Sequence, residues 1–380
     1  MLDYQTAGIT GVDAANLSEV NQQVDEQSLI TVNAMQTLTD SVNVIRAYAA
    51  DNTQTAPSVN DYQIAGVSGV SAANLADVNA QVDEQSLSTI TSVQTMVDGI
   101  NAVLAWAAGG ITELTEQQYL DAGVTGVTAT NLDDANLQLQ ILAHSDMASV
   151  QATADAINIV LAYTNDATNP APTDNDYLAA GITNVNADNL AFMNEDVADD
   201  ALTMAQIQLI ADQLTHLVLI RDYSLDSTNT APTFDNYSGA NLGVPRAENI
   251  ADYNTVIGDA LFTTRIEFEQ TVSAINLLDD HGNSTSSVTP NLATYHHAGY
   301  DDLRSVHVGV LNGLLQSQGV DSLTSIDTVK DSLDAMVYHA LDATTQAPSL
   351  TDYTNLNVTD VGANILDYLN LHLDKEKQKD

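Results

Sequence analysis

The chain has 380 residues, 51 of them acidic and 9 basic, for a formal net charge of −42. Arg46 is the single Lys or Arg in the first 200 residues, so the clustered cations that displace counterions from nucleic acid or settle on anionic membranes are missing. There is no cysteine, which excludes disulfides and thiolate metal or redox sites. With 44% apolar and 16% charged residues, the balance is that of packed cores rather than of a disordered acidic tail.

Seven tyrosines set a period: Tyr4, Tyr62, Tyr119, Tyr177, Tyr237, Tyr295 and Tyr353 stand 58, 57, 58, 60, 58 and 58 residues apart. A fixed period of this size predicts a repeat array. An array offers length and one surface many times, whereas an enzyme needs one asymmetric constellation. The copies read as 1–58, 59–116, 117–174, 175–234, a divergent 235–290, a divergent and histidine-containing 291–350, and a partial 351–380. The last copy stops at Asp380 in mid-period, so the sequence reads as a segment of something longer. No stretch approaches the ~20 apolar residues of a membrane span, and Met1 leads into the first copy without a basic n-region or apolar h-region.

The second copy shows the elements most clearly. Ser58 is placed to cap a short helix through Asp61, Tyr62 and Ile64, which Gly66 ends by taking a left-handed conformation. Val67-Ser68-Gly69-Val70 is a tight connector. Ser71 then caps a second helix over 72–82, with Leu75, Val78 and Val82 on one face. Asp83-Glu84-Gln85-Ser86 is a polar break before a long helix over 87–108. Its predicted buried stripe is Leu87, Ile90, Val93, Val97, Ile100, Val103, Leu104 and Ala107. The fold class is therefore all-α: tandem three-helix repeats of about 58 residues stacked into an elongated rod or superhelix. A core of that size is marginal alone, so neighbours are expected to support one another.

Asp/Asn/Thr-rich linkers join the copies at Asp51–Pro57, Asn165–Pro172, Asp226–Pro232 and Asp342–Pro348, where proline ends the preceding helix. An aromatic stands nine residues before three of these prolines, as Tyr48, Tyr163 and Tyr223, and Trp106 takes that place in the second copy. The second linker carries Gly109-Gly110 instead of proline, which predicts the most bent or mobile joint.

The pattern D-Y-x-x-A-G-V-x-G-V-x-x-x-N-L-x-x-V-N stands here as Asp61-Tyr62, Ala65-Gly66-Val67, Gly69-Val70, Asn74-Leu75 and Val78-Asn79. It returns at Tyr119, Ala122-Gly123-Val124, Gly126-Val127, Asn131-Leu132 and Asn136, and departs at Asn184 and Met193 in the fourth copy. This signature resembles repeats of very large Gram-negative surface proteins, the biofilm-associated and adhesin-like proteins of marine gammaproteobacteria. The resemblance covers copies one to four; the rest share only the period. It implies a cell-surface or secreted location and an adhesive or structural role, and names no ligand. The three-helix layout also looks like small bacterial modules that bind host proteins, such as albumin-binding modules, in architecture alone.

Few residues point to chemistry. The pairs Asn16/Asn21, Asn74/Asn79, Asn131/Asn136, Asn189/Asn194 and Asn249/Asn254 form either a ladder of amides on one face or, as we favour, local bonds to the helix start and connector. The repeated tyrosine is expected to pack between the first and third helices with its hydroxyl at the rim. Ca²⁺ at the inter-repeat linkers is the one cofactor the composition suggests. No linker matches the EF-hand pattern, and Asp279-Asp280-His281-Gly282-Asn283 comes nearest. Zinc on His297 and His307 is the weaker metal reading, because neighbours His296 and His297 are expected on two sides of a helix.

No nucleophile elbow, P-loop or H-E-x-x-H occurs, so no catalytic residue is assigned. Only the divergent stretch from Pro290 to Leu350 leaves room for an active site. The expected function is structural and adhesive: a stalk or self-assembling part of a biofilm matrix, sheath or surface layer, partnered by copies of itself or other surface components. The alternative is a multivalent helical module gripping a host protein or glycan.

Overall fold

The computed structural model describes residues 2–262, 264–320, 322–342 and 344–375. Among them every regular element is helical and no strand occurs. Asp380, where the last copy stops, and Ala343 of the fourth proline linker lie outside the described residues. No described helix is long and apolar enough to cross a membrane.

The short helices open each period: Leu2–Thr6, Val59–Ile64, Glu116–Asp121, Asp174–Ala179, Phe234–Gly239, Leu292–His297 and Leu350–Asn355. From the second copy on, reciprocal capping boxes start them, as between Ser58 and Asp61, Thr115 and Gln118, or Ser349 and Asp352. Each ends by a left-handed residue. In the second copy Gly66 takes φ +93° and the Val67 N–H donates back to the Tyr62 carbonyl at 2.9 Å. Where the glycine is missing, Asn241 and Asn357 adopt φ +55° and +59°. Asparagine is the residue besides glycine that tolerates this conformation best, so the turn survives where the signature does not.

The second helix departs from expectation. It spans Leu75–Glu84, not 72–82, and Ser71 is not its cap. The Asn74 side-chain oxygen accepts the Ser71 N–H at 2.7 Å, closing a turn ahead of the helix, so helical geometry begins only after Asn74. At the other end Asp83 and Glu84 belong to the helix, and the reversal falls at Ser86, φ +52°, with the Leu87 N–H on the Val82 carbonyl at 3.0 Å. That reversal consumes Leu87. The long helix consequently starts at Ile90, capped by Thr89, and runs to Ala107. The predicted stripe is buried except Leu87 and Leu104, which are half-buried, and Met96, Gly99 and Trp106 join it. The Gly109-Gly110 linker forms a helix stop: Gly109 takes φ +91° and the Gly110 N–H donates to the Ala105 carbonyl at 3.0 Å.

The described chain forms two compact units, Met1–Ala211 and Asp212–Asp380, the division falling within the helix Met204–Leu225. In the first unit, the long helix Ile90–Ala107 packs on its own Leu75–Glu84 and equally on Glu116–Asp121 and Leu132–Leu142 of the following copy. In the second unit, Arg265–Gly282 packs in the same way on Ile250–Asp259, Leu292–His297 and Ser305–Gln318. A period thus does not close its own bundle. These two long helices bury one face in their own copy and another in the next, which supplies the apolar area that one copy lacks.

Candidate functional site

The most regular chemistry in the molecule is internal. In every period the tyrosine hydroxyl donates to an asparagine oxygen 17 residues on: Tyr4 to Asn21, Tyr62 to Asn79, Tyr119 to Asn136, Tyr177 to Asn194, Tyr237 to Asn254, Tyr295 to Asn312 and Tyr353 to Asn370, at 2.6–2.8 Å. From the second copy on, the same amide donates to a linker carbonyl 22 residues before it, that of Pro57, Leu114, Pro172, Pro232, Pro290 or Pro348. The hydroxyl is therefore not at a rim, as its amphipathic character suggested. In the second to sixth copies the tyrosine is buried and its O–H points at the second helix. Burial raises the pKa of these phenols far above the ordinary value. Asn312 and Asn370 escape the N-L-x-x-V-N signature, yet their fixed spacing from each tyrosine marks them.

The other asparagine of each pair is structural as expected. Asn74 donates to the Gly69 carbonyl at 2.9 Å and to Asn101 of the long helix at 2.7 Å, while Asn101 donates to the same carbonyl at 3.1 Å. Asn16 with Asn43 and Asn131 with Asn158 repeat this triangle. A glutamine two turns before that long-helix asparagine completes the hold: Gln94 accepts the Ser68 N–H at 2.7 Å and donates to the Ser68 carbonyl at 3.3 Å. Sequence reading missed Asn101 and Gln94 because an amide on an amphipathic helix looks like ordinary surface.

A carboxylate ties neighbouring periods together. Glu19 accepts the Ile90 N–H at 2.8 Å, Asp77 that of Met147 at 3.0 Å, Asp134 that of Met204 at 2.9 Å and Asp252 that of Leu323 at 3.2 Å. Each partner is the first residue of a long helix one copy on, where the amide lacks an intrahelical acceptor and the dipole favours an anion. Burial is the dominant influence on Glu19 and Asp134 and raises both above the ordinary carboxylate range despite these bonds. A carboxyl whose folded pKa is raised binds its proton more tightly folded than unfolded, so stability rises as pH falls into the window between the raised and the ordinary value. We predict that the urea midpoint followed by Trp106 emission rises in that window, and that Asp134→Asn flattens the slope. An unchanged slope in the variant would refute the assignment to Asp134.

The linker aspartates make local turns. Asp51, Asp166, Asp226 and Asp342 each accept the N–H and hydroxyl of a threonine two residues on, at 2.6–3.0 Å. Threonine hydroxyl bonds hold Asp51, Asp166 and Asp226 below the ordinary carboxylate range, so what they contribute is lost only as pH falls through that depressed value. Among the described residues no group of three or more His, Asp or Glu side chains is placed to hold a metal. The Asp279–Asn283 stretch is the end of the helix Arg265–Gly282, not a loop, and Asp279 and Asp280 pair with Arg246 at 3.0 and 2.8 Å.

The histidines separate by role. His281 bonds the Asn312 carbonyl, His339 the Thr345 carbonyl, and His307 faces Asp334 at 3.7 Å. His296 bonds the Leu303 carbonyl at 3.2 Å and His297 lines a second cleft with Ile266, Ser273 and Leu277, while both residues border one cleft of about 540 Å³. The cleft sits off the C-terminal end of the helix Leu292–His297, with Ala298 to Asp301 also lining it. Its other wall comes from the fifth copy, through Val256, Asp259, Phe262 and Glu267, and its far end from Leu323 and Asp327. The crevice at the same place between the second and third copies is smaller, about 370 Å³.

Comparison with family models, with characterised proteins and with solved structures finds no match for this chain.

Proposed function

We propose that the chain is a structural and adhesive segment of a bacterial cell-surface or secreted repeat protein. On this reading three-helix repeats stack end to end into a stalk, or into a self-assembling part of a matrix, sheath or surface layer, and carry out no catalysis. The observation that supports it is where the recurring residues go. The tyrosine, both asparagines and the seam carboxylate are engaged in holding a copy together or joining it to the next. A multivalent binding module would instead repeat residues on an exposed helix face. The resemblance of the D-Y-x-x-A-G-V-x-G-V signature to bacterial surface repeats supports the location.

Small-angle scattering combined with sedimentation at low and high salt tests the proposal. A compact chain of this length has a radius of gyration of about 21 Å; the stacked array is expected to exceed that clearly. Strong negative charge keeps copies apart at low ionic strength. At seawater-strength salt the Debye length falls to a few ångströms, and reversible association is the expected result. A compact particle that stays monomeric in both salts overturns the reading. Millimolar calcium is the second variable: lengthening or stiffening beyond matched ionic strength places the ion at the linkers, and an indifferent particle removes it.

A further inference from the structure

At the seam between the fifth and sixth copies a valine stands where the first three copies carry a glutamine. In the first three copies a glutamine amide lies over the left-handed glycine of the following copy. A methyl group built on Gly66, Gly123 or Gly181 would fall 1.9, 1.7 or 2.1 Å from the Oε1 of Gln23, Gln81 or Gln138. In the fifth copy the equivalent position, two residues after the asparagine that holds the tyrosine, is Val256. A methyl group on Gly299 would meet only the Val256 methyls, at 3.4 and 3.5 Å. Valine is shorter than glutamine, and the cleft here is about 540 Å³ against about 370 Å³ beside Gln81, within the size range of small-molecule sites.

We propose that this cleft binds an organic cation, an ammonium or guanidinium group carried on an apolar stem. The floor is apolar, from Val256, Phe262, Leu323 and the ring of Tyr300. Phe262 is braced edge-on by Phe268 at 5.5 Å, and the Tyr300 hydroxyl is held by the Leu323 carbonyl at 3.1 Å, so both rings are fixed before a ligand arrives. Asp259, Glu267, Asp301 and Asp327 line the cleft together with His296 and His297, and no Lys or Arg does. Asp259 and Asp301 are exposed and carry no ion pair among the described residues. Fixed aromatic rings beside the exposed carboxylates of Asp259 and Asp301 favour a cation over a neutral or anionic molecule of the same shape, through Coulomb attraction and the ring quadrupole. This site is independent of the structural role, since the other seams keep the array together without it.

Calorimetric titration of the full chain at low salt with phenethylamine, 2-phenylethanol and 3-phenylpropionate tests the charge preference. Phenethylamine is expected to bind saturably and at least fivefold more tightly than the alcohol, with no binding of the anion. Blocked lysine and arginine amides distinguish a side chain presented by another protein from a free amine: whichever class binds more tightly is the source. Val256→Gln introduces the glutamine that the first three copies carry, narrows the cleft over Gly299 and is expected to weaken binding at least fivefold with the thermal midpoint maintained. Asp259→Asn and Asp301→Asn should each weaken binding about threefold, in line with exposed ion pairs. Equal affinity for amine and alcohol, undiminished binding by V256Q, or no saturable binding of any cation up to 10 mM (on the order of the weakest useful affinity) overturns the proposal. So does calcium alone occupying the cleft in place of the amines.

Discussion

Gly282→Ala is expected to destabilise the second unit by roughly 2–3 kcal/mol, although alanine is the better helix former by about 1 kcal/mol. Gly282 is the last residue of the helix Arg265–Gly282, and a methyl group there would lie 1.5 Å from the Val320 carbonyl oxygen and 2.6 Å from its carbon. The obstacle is backbone, in the turn between the helices Ser305–Gln318 and Leu323–Leu341, and cannot swing aside like the end of a side chain. The turn must back away from the helix, opening the packing around Leu278 and Val320, both buried. Gly309 and Gly313 supply the control. Both lie inside the helix Ser305–Gln318 with nothing within 4 Å of an added methyl. There Gly→Ala is expected to stabilise by about 0.5–1 kcal/mol, mainly by restricting the unfolded chain. Urea unfolding followed by far-UV circular dichroism reads both signs. A neutral or stabilising Gly282→Ala contradicts the close approach.

The second large effect is expected at Asn136. Its side chain accepts the Tyr119 hydroxyl at 2.8 Å and donates to the Leu114 carbonyl at 3.0 Å, both bonds buried. Its own carbonyl accepts the Trp106 indole N–H at 2.9 Å. Asn136→Ala leaves a hydroxyl and a carbonyl buried without partners, at about 1–3 kcal/mol each, so a loss of about 2–6 kcal/mol is predicted. Tyr119→Phe removes one donor and leaves a single oxygen short, and about 1 kcal/mol is expected. Because the two share one bond, the double variant should cost less than the sum. Asn21→Ala is the contrasting case: the Tyr4–Asn21 bond is exposed, water replaces it, and less than about 1 kcal/mol should be lost. Trp106 emission in urea follows Asn136 directly. Equal losses at Asn21 and Asn136 would show that burial of the pair is not what gives it weight.

Much of each period was legible in the sequence, because caps and turns depend on a few neighbouring residues. Ser58 with Asp61 predicted the start of a helix, and Gly66 its stop, from propensities that act within one turn. The error at Ser71 came from the same scale of reasoning. Serine and asparagine both make good caps, and the choice depended on Asn74 reaching back to Ser71 and across to Asn101, a residue on another helix. The tyrosine was legible as a marker but not as a buried donor, because the acceptor lies one helix away. The cleft was not legible at all: Val256 looks like one more apolar helix residue until Gly299 of the next copy is laid against it.

By itself the sequence determined the helical class, the period of the tyrosines, the caps of the short helices and the strong negative charge, since each follows from local spacing or composition. The tertiary structure alone decided how one copy meets the next. The Asp134 carboxylate reaches Met204, the Gln138 amide lies over Gly181, and Val256 leaves the fifth seam open. Those contacts join residues far apart in the chain, where hydrogen-bond geometry and close packing select the partner and no sequence pattern records it.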